Sequence, residues 1–144
     1  MTCCFFGHRD TPSYIAKKLS PLLRHLVEEM KVTRFLVGNE GAFDRMVATA
    51  LAELKKEHPE IRCYIVLAYM PQKQREPLPI ETIYPEGLET VPRRFAIDRR
   101  NRWMLKQSDT VVGYVCTSFG GASRYFEMAQ KAQKVIFRLA DHDD

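Results

Sequence analysis

The chain has 144 residues, 45% of them hydrophobic and 28% charged, with a formal net charge of +4. That length fits one domain spanning residues 1–144, able to bury a proper core but with no room for a second of useful size. No apolar run approaches a membrane span, and Met1–Gly7 is too short and lacks the basic leader of a signal peptide. A cytoplasmic protein without a membrane partner is expected. The mild positive excess suits a small anionic ligand as well as nucleic acid.

In chain order, Cys3 to Phe6 reads as a buried strand closed by Gly7-His8-Arg9-Asp10. Tyr14 to Met30 has helical periodicity in Ile15, Leu19, Leu22, Leu23, Leu26, Val27 and Met30, interrupted by Pro21. Either Ser20 caps a second helix there, or one helix is kinked. Thr33 to Val37 is a second strand, ending at Gly38-Asn39-Glu40-Gly41. A helix from about Ala42 to Glu57 follows, with Pro59 beyond its end. Ile61 to Ala68 is a third strand, apolar on both faces as a parallel sheet requires.

Met70 to Pro92 carries five of the eight prolines and reads as a long irregular connection, with room for a short strand at Thr82–Tyr84. A helix from about Arg94 to Gln107 leads to a strand at Thr110–Val115 and the glycine turn Phe119-Gly120-Gly121-Ala122-Ser123. A helix to about Gln133 and a strand at Val135–Leu139 complete the pattern. Strands alternating with helices predict an α/β fold: a mostly parallel sheet of five strands, or six with Thr82–Tyr84, and helices on both faces. In such sheets the ligand sits at the carboxyl ends of the strands, where the loops at 7–10, 38–44 and 116–124 all fall.

The glycine turn between a strand and a helix offers free backbone N–H groups to an anion. Gly7, His8, Arg9, Gly38, Asn39, Gly41, Asp44, Gly120, Gly121, Ala122 and Ser123 are therefore the candidate ligand-binding residues. Helical spacing puts Arg100 on an inner stripe with Ala96, Ile97, Asn101 and Met104. Such an arginine either meets a ligand phosphate or carboxylate, or runs past the core edge to an acid. Arg93, Arg94, Arg99 and Arg102 read as a solvated basic face. Asp44 either accepts hydrogen bonds from a ribose or loop backbone, or is an acid favoured near a helix N-terminus.

A G-x-G-x-x-G fingerprint and a G-K-[ST] loop are both absent, which disfavours a standard NAD dehydrogenase and a kinase-type phosphate loop. Cys3, Cys4, Cys63 and Cys116 form no C-x-x-C pair and read as buried free thiols. Neither a metal nor a cofactor is expected.

The series Arg100-Asn101-Arg102-Trp103-Met104, Asp109, and Gly120-Gly121 through Glu127 resembles the signature of the LOG family of cytokinin-activating phosphoribohydrolases. Phe5-Phe6-Gly7-His8-Arg9 and Phe35 to Asp44 look most like YpsA-like members of the wider SLOG superfamily, which also holds DprA-like DNA-binding domains. The resemblance implies a Rossmann-like fold, a dimer, and Arg100 and Glu127 as catalytic residues. Asn101 stands at the family's lysine, Ser123 at its third glycine, Arg124 at its threonine and Phe119 at its proline.

The expected function is binding of a nucleotide-derived ligand, a nucleoside phosphate or an ADP-ribose-like molecule. If the protein is an enzyme, it hydrolyses an N-glycosidic bond, with Arg100 on the phosphate or ribosyl group and Glu127 stabilising the oxocarbenium or steering water. The alternative is a DprA-like module for single-stranded DNA. Nucleic acid ranks below a small nucleotide as partner, because Trp103 and Tyr125 are the only aromatics read in the basic stripe.

Overall fold

The computed structural model describes residues 1–70, 77–115 and 121–139. Six strands, β1 (Thr2–Gly7), β2 (Arg34–Val37), β3 (Arg62–Val66), β4 (Glu81–Ile83), β5 (Thr110–Tyr114) and β6 (Val135–Arg138), form one sheet in the order β4-β3-β2-β1-β5-β6. Every neighbouring pair is parallel. Four helices cover it: α1 (Ala16–Glu28), α2 (Ala42–Glu57), α3 (Ala96–Gln107) and α4 (Gly121–Lys131). The short run near residue 82 is thus a true edge strand, paired with β3.

Alternation along the strands sorts the core into two layers. Cys3, Phe5, Phe35, Val37, Ile65 and Val112 point to one face, where Leu19, Leu23 and Leu26 of α1 and Phe43, Val47 and Leu51 of α2 cover them. Cys4, Phe6, Leu36, Val66 and Val111 point to the other, under Met104 and Leu105 of α3 and Phe126 and Ala129 of α4. Both faces are buried, so the strands have to be apolar at successive positions.

Pro21 lies inside one uninterrupted helix. It sits on the exposed side, so its ring faces away from the sheet and the Lys17 carbonyl that loses a donor can be met by water. Cys3, Cys4 and Cys63 are buried free thiols as read; burial pushes Cys4 up to about 12 and Cys63 to about 11. Cys116 lies outside the described residues. No helix among the described residues is long and apolar enough to cross a membrane.

The chain leaves β1 toward β2, β3 and β4 on one side, then returns to β5 and β6 on the other. The carboxyl ends of β1 and β5, with Gly7 in register with Tyr114, therefore mark the point where strand order reverses. Connections diverge there and leave a crevice, which positions the site.

Candidate functional site

A cavity of about 340 Å³ opens at this reversal. The end of β1 supplies Gly7, His8, Arg9 and Asp10; the loop after β2 supplies Gly38 and Glu40, and α2 supplies Asp44. Ile97, Arg100 and Asn101 of α3 close one wall, and Gly121, Ala122 and Tyr125 of α4 another.

Arg100 forms the floor. Its side chain is 2% exposed, which makes it the largest of the fully buried side chains. Nη1 donates to the carbonyl of Val66 at the end of β3, 3.0 Å away, and Nε donates to the Asn101 side chain at 2.8 Å. Burial pulls the guanidinium below its ordinary range, while Asp44 and Glu40 favour its charge. The guanidinium can come this close because the sheet end beside it carries glycine. A Cβ on Gly38 would lie 3.0 Å from Arg100 Cζ and Nη1 and 2.9 Å from Asp44 Oδ2.

Asp44 is 9% exposed and accepts a hydrogen bond from the Glu40 backbone N–H at 2.8 Å. Burial raises its carboxyl to about 6; the Glu40 N–H and the Arg100 charge hold it back from going further. Asp44 thus accepts a loop backbone N–H in the first turn of α2, and its side chain also lines the cavity. Gly41 adopts φ 93° just ahead of α2, a region that favours glycine, and the next N–H, of Ala42, donates to the Arg9 carbonyl at 2.8 Å. That bond ties the first glycine loop to the second. Arg9 and Glu40 also approach within 3.8 Å across the two loops.

On the other side, Asn101 hydrogen-bonds to Tyr125, and the Tyr125 hydroxyl donates to Asp98 at 2.5 Å. Asp98 also meets Arg102 at 2.9 Å and Arg124 at 3.7 Å. This chain of contacts joins α3 to α4 beside the cavity and fixes the wall on which Arg100 stands.

The structure brings Gly7, His8, Arg9, Gly38, Asp44, Arg100, Gly121 and Ala122 together around one cavity. Gly41 supports the loop geometry behind it. Asn39 is exposed, Ser123 is half-buried, and neither lines the cavity. Gly120 lies outside the described residues. Glu127 is exposed on α4 and is not among the lining residues, because the helix turns Tyr125, Phe126 and Ala129 inward instead.

The sequence reading missed an aromatic. Phe95 is 50% exposed in the turn Arg93–Phe95 directly before α3, and Arg94 sits over its ring at 4.8 Å from the centroid. Arg93 lies 4.2 Å from the Tyr69 ring centroid. Tyr125 is buried and offers no stacking face to solvent. Two arginines adjoining an aromatic at the start of a cleft-lining helix were the signal available in the sequence.

The architecture is a doubly wound α/β sheet of the Rossmann-like class. DNA processing protein A from Helicobacter pylori, solved for its single-stranded DNA binding mode, shares this fold with a TM-score of 0.62 and 17% identity over 99% of the present chain. The chain spans 66% of that protein's length. No protein-family pattern matches the sequence, and no curated protein is recognisably similar to it. The neighbour corrects the expected order of partners, which put nucleic acid below a small nucleotide: DNA processing protein A, which has this fold, binds single-stranded DNA.

Proposed function

We propose that the chain is a DprA-like module for single-stranded nucleic acid, within the SLOG superfamily that its glycine loops and Arg100 segment resemble. One strand phosphate enters the cleft at the carboxyl ends of β1 and β5. Arg100, Arg9 and His8 meet it with charge and hydrogen bonds, and the backbone at Gly7, Gly38, Gly121 and Ala122 closes around it. The observation that carries this reading is the continuity between the buried Arg100 and the exposed turn Arg93-Arg94-Phe95, which begins the same helix. A buried cation in the cleft, with exposed cations and an aromatic in the turn preceding the same helix, suits a polyanion with stacking bases better than an isolated small molecule.

The test is fluorescence anisotropy of a labelled oligothymidylate across a salt series. Binding should weaken linearly in log salt with a slope of roughly −0.7 per phosphate contacted. Arg100→Ala should lower affinity and make that slope shallower by one contact. No binding at low salt would sink the reading.

A second reading, a free nucleotide-derived ligand whose N-glycosidic bond is hydrolysed, is favoured by two observations. The cavity holds a carboxyl raised to about 6, Asp44, beside the buried Arg100, and its volume of about 340 Å³ suits a small molecule. In that reading Asp44, which lines the cavity, takes the carboxylate role in place of Glu127, which lies outside the lining. Release of free base from a nucleoside monophosphate, lost in Asp44→Asn and kept in Glu127→Gln, would support it.

A further inference from the structure

A second groove, of about 480 Å³, lies on the outer side of α3 against the turn Leu88–Thr90. Its helix wall is Arg99, Arg102, Trp103 and Lys106, which fall at i, i+3, i+4 and i+7 and so form one stripe. Arg100 and Asn101, on a different side of the same helix, face the cleft. Trp103 is half-buried: one side packs on the core beneath α3 and α4, and the other floors the groove. Arg102 is braced by Asp98 at 2.9 Å, whereas Arg99 and Lys106 are exposed and enter no ion pair among the described residues. Glu86 is the one acid in the groove lining among the described residues.

We infer that this groove is a second contact track for single-stranded nucleic acid, with a base stacked on Trp103 and phosphates held by Arg99 and Lys106. The inference rests on the reading of the cleft as a nucleic-acid site and extends it along α3. A held indole face flanked by exposed cations is the arrangement that binds single strands without reading sequence. Arg99 and Lys106 are about 10 Å apart along the helix axis, a span on the scale of two nucleotides. The two sites share α3, Ile97, Arg100 and Asn101 lining the cleft and Arg99, Arg102, Trp103 and Lys106 the groove, so one strand can engage both. An acidic peptide would satisfy the cations but leave the indole without a partner.

Trp103 is the sole tryptophan of the chain, so its emission reports on the groove alone. Two signals are followed in one titration of the full chain with oligothymidylate: anisotropy of the labelled strand, and Trp103 emission. Binding with quenched emission is expected, and Arg99→Glu with Lys106→Glu should weaken binding roughly tenfold and abolish the quench. Lys17→Glu with Lys56→Glu, on α1 and α2 across the sheet, makes the same change in net charge and is the control. Binding with unchanged emission and no effect of the double variant would overturn the groove and leave the cleft standing. No anisotropy change at all would overturn both. Quenching by polyglutamate in place of the oligonucleotide, or an emission change with protein concentration alone, would assign the groove to a peptide or to a second copy and overturn the inference.

Discussion

Asp44 and Arg100 come from helices on opposite faces of the sheet and converge over one backbone position, Gly38. The Cβ that Gly38 lacks would sit 2.9 Å from the Asp44 carboxylate oxygen and 3.0 Å from the Arg100 guanidinium carbon. Gly38 directly follows the last paired residue of β2, Val37, at the point where two buried charged groups have to reach the crevice. Neither charged group touches the other as an ion pair among the described residues, yet each biases the other's ionisation.

Gly38→Ala should therefore disturb both groups at once. The methyl cannot be accommodated without moving the guanidinium or the carboxylate, and overpacking of this kind costs about 1–3 kcal/mol. Chemical denaturation should register that loss. Oligonucleotide affinity should fall about as far as in Arg100→Ala, although Gly38 carries no charge.

Arg100→Met should cost roughly 3 kcal/mol of stability, because it strips the Val66 carbonyl of its donor and removes the positive charge beside a buried carboxyl. Adding Asp44→Asn should recover part of it. A double-mutant cycle by denaturant titration should give a coupling of about 0.5–3 kcal/mol. Strict additivity would mean that the two groups are independent despite sharing Gly38.

Asp44 also sets a pH dependence. Its folded-state value of about 6 lies above the ordinary 3.8, so the native form binds the proton more tightly than the unfolded form. The stability contributed by protonation is present at acid pH and is lost as pH rises from about 4 through about 6. A shift of this size corresponds to roughly 3 kcal/mol. Asp44→Asn should be more stable than the wild type at neutral pH, with the advantage shrinking toward pH 4 in melting scans. Oligonucleotide binding should tighten below about pH 6 as the Asp44 charge disappears from the cleft. Whatever pH response survives in Asp44→Asn belongs to the other cleft groups.

Pro21 offers a test far from the site. It is exposed within α1 and cannot donate to the carbonyl one turn earlier, at Lys17. Pro21→Ala should raise stability by about 1–3 kcal/mol, measured by thermal denaturation, with oligonucleotide affinity unchanged.

The elements were legible in the sequence wherever periodicity had a single reading. The helix Ala42–Glu57 falls on its predicted ends, and the strands at residues 3–6, 33–37 and 110–115 shift by a residue or two. Pro21 was ambiguous because a proline rule describes the helix backbone, while the exposed side it occupies depends on which face meets the sheet. The stripe Ala96, Ile97, Arg100, Asn101, Met104 was also legible, since spacing fixes which residues share a face.

The sequence by itself determined the alternation of strand and helix, the parallel sheet buried on both faces, and the gathering of the glycine loops at one edge. Those follow from local periodicity and from the short right-handed connections that such periodicity permits. Only the tertiary structure decided which side chains reach the crevice. Arg100 finds its acceptor on Val66, 34 residues earlier, and shares Gly38 with Asp44 from the opposite face. Glu127 is turned outward because Tyr125, Phe126 and Ala129 take the inward side of α4, and Trp103 floors a groove whose far wall is the turn Leu88–Thr90. Local sequence encodes which face of an element is apolar. What that face meets, and which polar group is left to meet a ligand, depends on contacts between residues distant in the chain.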